Sequence, residues 1–278
     1  MAAADSRTPQ RSALAFAFAV PIAILGGLIG LGGAEFRLPV LAGPLRYSAK
    51  QAVPLNLAVS LITVVASLLI RANTLPLGSL SPLIVPMLAL IGGAVFAAFF
   101  GATLGSHLSE RRLEQTILAL LLAIGTALIV EAFLPQQGPG FIPPEVIWQL
   151  AAGIVFGLAI GLVSSLLGVA GGELIIPTLI FAFGADVKVA GTASLFISLP
   201  TILVGVGRYA RRGAFADRAP LRETVAPMGA GSVIGALIGG LLVGFVPSSV
   251  LKFVLGIILI VSALRIFRKT QAHQTSTA

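Results

Sequence analysis

Apolar residues run through this chain in blocks that are too long and too continuous for a soluble core. The blocks cover roughly 12–43, 51–70, 80–107, 112–134, 146–184, 189–208, 222–246 and 248–267. A helix needs about 20 apolar residues to cross the hydrocarbon layer, whereas a barrel strand needs about 10 that alternate in polarity. Only helices and closed barrels satisfy every backbone polar group in lipid, and continuous blocks select helices. The composition agrees, with 57% hydrophobic and 10% charged residues in 278, against roughly a quarter charged in soluble domains. The expected fold class is an all-α polytopic membrane protein.

A net charge of +8 raises the question of nucleic acid, but the Lys and Arg residues lie in short segments between apolar blocks. There they mark the cytoplasmic side of a membrane protein, so no nucleic-acid partner is expected. The absence of cysteine excludes disulfides, thiol catalysis and cysteine-based metal sites. The charged start MAAADSRTPQR resembles a signal peptide. The apolar stretch after it runs into a motif repeated later, so it reads as retained.

The chain is duplicated. Gly30-Leu31-Gly32-Gly33-Ala34-Glu35-Phe36-Arg37-Leu38-Pro39 aligns with Gly168-Val169-Ala170-Gly171-Gly172-Glu173-Leu174-Ile175-Ile176-Pro177 at an offset of 138. The same register pairs Lys50 with Lys188, Ala52 with Ala190, Leu57 with Leu195, Ser60 with Ser198 and Thr63 with Thr201. A register held over more than thirty residues indicates an internal repeat. The expected divisions are an N-terminus over 1–11, a first repeat over 12–134, a linker over 135–145, a second repeat over 146–267 and a tail over 268–278. Trp148, just past the linker, suits a membrane interface.

Blocks one and five are too long for one crossing, and each carries the glycine motif in its interior. As single tilted helices they would make the halves parallel, with eleven of eighteen cations on the inner side. As hairpins folding back at the glycines they make the halves inverted. Fourteen cations then lie inside, Arg71, Lys188 and Lys252 lie outside, and Arg37 is embedded. The second count fits the positive-inside rule far better. The expectation is two inverted repeats, each a broken helix or re-entrant hairpin plus three transmembrane helices. That makes about ten helical segments from eight blocks, with both termini cytoplasmic.

Interrupted helices in inverted repeats place free amides and a partial positive charge at membrane depth, where an anion can be held. Gly30, Gly32, Gly33 and Gly168, Gly171, Gly172 are therefore candidate substrate-binding positions, with close helix packing as the alternative. Asn56, Ser60 and Thr63 share one helix face, and Ser194, Ser198 and Thr201 repeat it in the second half. These hydroxyl and amide groups suit either a passing anion or interhelical hydrogen bonds.

Embedded charges cost about 2.5–3.5 kcal/mol each at a helix centre on insertion scales, so each needs a role. Glu35 and Glu173 fall in the first turn after the break, where a carboxylate stabilises a helix start; proton coupling is the alternative. Arg37 has Ile175 as its repeat partner, so the architecture does not demand a cation there. Its planar fork suits an oxyanion, and pairing with Glu or snorkelling to the interface are the alternatives. Lys50 and Lys188 open the polar-striped helices and are second-rank candidates for pairing with an acid or a lipid phosphate. Arg208, Arg211, Arg212, Arg218 and Arg222 make a basic inner loop.

The paired motifs GLGGAEFRLP and GVAGGELIIP resemble those of the sulfite exporter TauE/SafE family over nearly the whole chain. Ala34 and Ala170 stand where a third glycine is often seen, and Glu-Phe-Arg replaces a more apolar stretch. The resemblance implies transport of sulfite, sulfonates or related sulfur-containing organic anions across the bacterial inner membrane, without a nucleotide-hydrolysing subunit. The expected partners are a small anionic substrate and membrane lipid, with a homo-oligomer left open; no cofactor or metal is expected. An intramembrane enzyme lacks its parts: the only histidines are His107 and His273, and no His-Glu-x-x-His or Walker sequence is present. A passive anion channel stays open as an alternative, as does a carrier of another carboxylate or oxyanion. With a negative interior, expelling one anion gains about 2.3 kcal/mol per 100 mV.

Overall fold

The computed structural model describes residues 7–74, 76–104, 110–133, 140–167 and 171–275. Among them are ten α-helices: α1 (Arg7–Ile29), α2 (Ala34–Ala42), α3 (Ala49–Thr74), α4 (Ile84–Leu104), α5 (Glu110–Ala132), α6 (Val146–Leu167), α7 (Gly172–Phe183), α8 (Val187–Arg211), α9 (Ala226–Leu242) and α10 (Ser248–Thr275). Six helices are long and apolar enough to cross a membrane. The outer surface carries large apolar side chains such as Leu69, Leu88, Phe96, Val155 and Phe245, while Asn56, Ser60, Thr63, Ser194, Ser198 and Ser232 are buried. A water-soluble protein hides the first kind and shows the second, so this distribution belongs to lipid.

Blocks one and five fold back on themselves. Gly33 takes a left-handed φ of 75°, and a Cβ there would stand 2.8 Å from Ile22 Cγ2. Along a straight helix, residues eleven apart would be separated by about 16 Å, so the chain has reversed. The second copy repeats the contact at the same offset: Gly171, φ 76°, lies against Ile160 and Ser164. The bases close as well. Arg11 Nη2 donates to the Leu45 carbonyl at 2.7 Å, and its guanidinium sits 4.6 Å over the Tyr47 ring. In the second hairpin the Phe141 and Ile142 amides donate to the Phe181 and Ala182 carbonyls. Each block thus enters and leaves on one side.

Local chemistry sets where each hairpin ends. Gly184 adopts the left-handed region, its amide donates to Ile180, and Asp186 then caps α8 by accepting from the Lys188 amide at 2.8 Å. In the first repeat the Ser48 amide and hydroxyl both donate to Gln51 Oε1 at the start of α3, which supplies one half of a capping box.

Equivalent helices of the two halves run antiparallel. Leu57 of α3 meets Gly205 of α8, while Arg71 of α3 reaches Lys188 of α8. In α5 and α10, Gly125 meets Ile260 and Ile129 meets Gly256. Repeats related by an axis along the membrane normal would align these pairs in parallel, so the halves are inverted. Each half also lends its first helix to the other. Gly231, Gly235 and Gly239 of α9 press on the backbone of α1 at Phe16, Val20 and Ile24. Gly153, Gly157 and Gly161 of α6 press in the same way on α4, from Pro86 to Ala94. Glycine every fourth residue removes the Cβ ridge and lets the backbones touch.

Candidate functional site

Arg37 projects from α2 into the centre of the protein with no exposed surface. Its Nη2 donates to the Gly32 carbonyl at 2.7 Å and to Ser60 Oγ at 2.8 Å. Its Nη1 donates to Thr63 Oγ1 at 2.7 Å and to Ser232 Oγ at 3.4 Å, and Nε donates to Asn56 Oδ1 at 3.4 Å. Asn56 is itself oriented by donating to the Ala34 carbonyl at 3.1 Å. Every acceptor is neutral. An ion pair does form between Lys252 and Glu131 at 2.6 Å, joining α10 to α5 far along the chain from Arg37. The guanidinium is therefore hydrogen-bonded only to neutral groups, while Glu35, two residues along the same helix, interacts with it electrostatically without a hydrogen bond.

The cage explains the polar stripe of the first repeat. Asn56, Ser60 and Thr63 converge on Arg37, and Gly32 adds a carbonyl from the corner. In the second repeat Ile175 replaces the cation, and Ser194 and Ser198 are buried on α8. Ser194 Oγ has no hydrogen bond. Ser232, on α9, completes the Arg37 cage and was not singled out from sequence, because one serine in a long apolar block carries no periodic signal. Arg37 does not snorkel to the interface; Glu35 interacts with it electrostatically but makes no hydrogen bond to it.

The glycine corners meet each other. A Cβ on Gly172 would stand 3.2 Å from Leu31 Cα, and one on Gly30, φ 98°, would overlap the Gly191 carbonyl. Turning and close packing are thus both needed of these glycines. Gly168 lies outside the described residues. Helices α2 and α7 start at Gly33 and Gly171 without a side-chain cap. Glu35 and Glu173 stand in their first turns, and both Glu35 carboxylate oxygens are buried with no hydrogen bond. Its expected position in the first turn of the helix holds. Lys50 is exposed at the start of α3 and Lys188 half-buried at the start of α8; neither forms an ion pair with a described residue.

Arg71 departs most from expectation. Read from sequence as an outer-side cation, it lies in the last turn of α3 with no exposed surface. It continues the polar face of that helix: Asn56, Ser60, Thr63, Ser67 and Arg71 are all fully buried. The four-residue step from Thr63 to Ser67 to Arg71 is visible in the sequence, but a cation at the end of an apolar block marks the interface in most membrane helices.

Among the described residues no group of three His, Cys, Asp or Glu side chains could hold a metal ion. The arrangement offers instead a buried guanidinium hydrogen-bonded to neutral groups, rotatable hydroxyls and two helix starts, groups of the kind that bind an anion. Fold and site together define a class, the polytopic membrane proteins built from inverted repeats with re-entrant hairpins. Within that class the family is specific: the family model for the sulfite exporter TauE/SafE matches residues 2–128 and 153–278, and the chain belongs to that family. No curated protein and no solved structure matches the chain significantly.

Proposed function

We propose that this chain is a secondary transporter that exports small sulfur-containing anions, sulfite or sulfonates, across the bacterial inner membrane with both termini cytoplasmic. The observation that carries the proposal is Arg37: a fully buried guanidinium held only by neutral oxygens, in a chain of the sulfite exporter family. No carboxylate occupies its hydrogen-bonding positions, and Ser60, Thr63 and Ser232 can rotate from accepting to donating when an oxyanion takes their place. The contacts Gly30–Gly191 and Leu31–Gly172 close the space between the corners. In alternating access they part on one side at a time as one repeat rocks against the other.

Counterflow in proteoliposomes at clamped voltage and pH tests this reading. Sulfite preloaded inside should drive saturable uptake of labelled sulfite, and methanesulfonate should compete. A conductance that never saturates would replace the carrier by a channel; competition by carboxylates alone would replace the substrate class. Arg37→Ala should abolish the rise in thermal midpoint that sulfite produces in the wild type while the protein stays monodisperse. An undiminished rise would remove Arg37 from the site.

A further inference from the structure

The polar face of α3 does not stop at the Arg37 cage. Arg71 Nη2 makes one long contact, 3.4 Å, with the Lys188 carbonyl, and Nε and Nη1 have no acceptor. A guanidinium without a counter-charge and with open donors is among the costliest groups to bury. Its aliphatic stem lies near Gly240 of α9, and Nη1 is 2.9 Å from where a Cβ on Gly191 would stand. Gly191 in turn packs on the Ile29 carbonyl at the first corner. Four helices, α1, α3, α8 and α9, therefore converge on this side chain.

Two more unsatisfied donors sit nearby in the helix register. Helices α3 and α8 cross antiparallel with Leu57 against Gly205 and Arg71 against Lys188, which brings Ser67 level with Ser194. Both hydroxyls are fully buried and neither has a hydrogen-bond partner. One orphan hydroxyl is unremarkable in a helical membrane protein. Two of them at one level of the α3–α8 pair, with Ser67 one turn from a guanidinium with free donors, point to a binding place whose occupant brings its own acceptors.

We propose that Arg71, Ser67 and Ser194 form a second oxyanion station, separated from the Arg37 cage along α3 and lying toward the membrane face opposite the N-terminus. The inference rests on the transport reading above and adds to it a substrate stop on the exit side. A small tetrahedral or pyramidal oxyanion matches these groups: the guanidinium supplies charge and paired donors, and the hydroxyls supply the remaining hydrogen bonds. The anion at Arg37 would pass to Arg71 along the face that carries Thr63 and Ser67. Two stations divide the path into shorter steps, and an anion arriving at one repels, and so helps to release, an anion held at the other.

Oriented proteoliposomes separate the two faces. With sulfite as the probe, Arg71→Gln should raise KM at least about tenfold for sulfite offered from the face opposite the N-terminus, the scale of a lost charged hydrogen bond. KM from the N-terminal face should change much less. Arg71→Lys keeps charge and stem but loses the fork, so a smaller rise on the same face is expected, and this variant decides the matter if the Gln variant does not fold. The double change Ser67→Ala with Ser194→Ala should raise KM on that face alone. Wild-type transport accompanied by unchanged KM from both faces in Arg71→Lys and in the double serine variant overturns the station and leaves the transport reading standing. A wild-type chain that neither transports sulfite nor is thermally stabilised by sulfite or methanesulfonate overturns both.

Discussion

At the scale of single residues, the corners are defined by what a Cβ would strike. Gly30 combines a φ of 98° with direct contact on the Gly191 carbonyl, so Gly30→Ala carries both backbone strain and overpacking. The expected loss is about 1–3 kcal/mol of stability, read as a lower thermal midpoint in detergent. Gly78 has open space around it, and Gly78→Ala should fall within about 0.5 kcal/mol of the wild type, as a surface control. The charges were less legible than the glycines. Arg37 could be recognised as embedded because it follows the glycine break inside an overlong apolar block, and its repeat partner Ile175 marked the cation as peculiar to the first half. Its five neutral acceptors could not be foreseen, since Ser232 comes from a helix almost two hundred residues away. Arg71 escaped because a cation at the end of an apolar block looks the same in sequence whether it faces water or turns inward.

Elements show a different balance of what sequence carries. The duplicated motif located both hairpins, and counting cations favoured the inverted arrangement that antiparallel α3 and α8 display. Which helix packs on which was not legible, although a signal existed: Gly153, Gly157, Gly161 and Gly231, Gly235, Gly239 recur every four residues. Periodicity names the contact face of a helix and says nothing about its partner, which here belongs to the other repeat. The buried pair Lys252–Glu131 between α10 and α5 was equally silent, because its members are separated by 121 positions. It yields a clear expectation. Lys252→Met alone leaves a buried carboxylate without its partner and should cost about 3–5 kcal/mol, whereas Lys252→Met combined with Glu131→Leu should recover most of that loss. Thermal midpoints of the single and double variants in one detergent compare them; equal losses would show that the pair contributes nothing by its charge.

For the whole molecule, inversion makes a prediction about sides. The loops after α3 and after α8 lie at opposite ends of an antiparallel pair, and the chain has no cysteine of its own. Gly78→Cys should react with a membrane-impermeant maleimide added outside intact cells, and Ala214→Cys only after the inner face is opened. Labelling of both from one side would refute the inverted arrangement. The exchange of first helices between halves has a further consequence for biosynthesis. Helix α1 leaves the ribosome about 200 residues before α9, the helix against which it packs. At 5–20 residues per second that is roughly 10–40 s of waiting in the bilayer. During that interval the nascent chain holds a folded-back hairpin whose docking surface is still untranslated, so maturation depends on a late join and a chain truncated after its first half is left without a mate for α1.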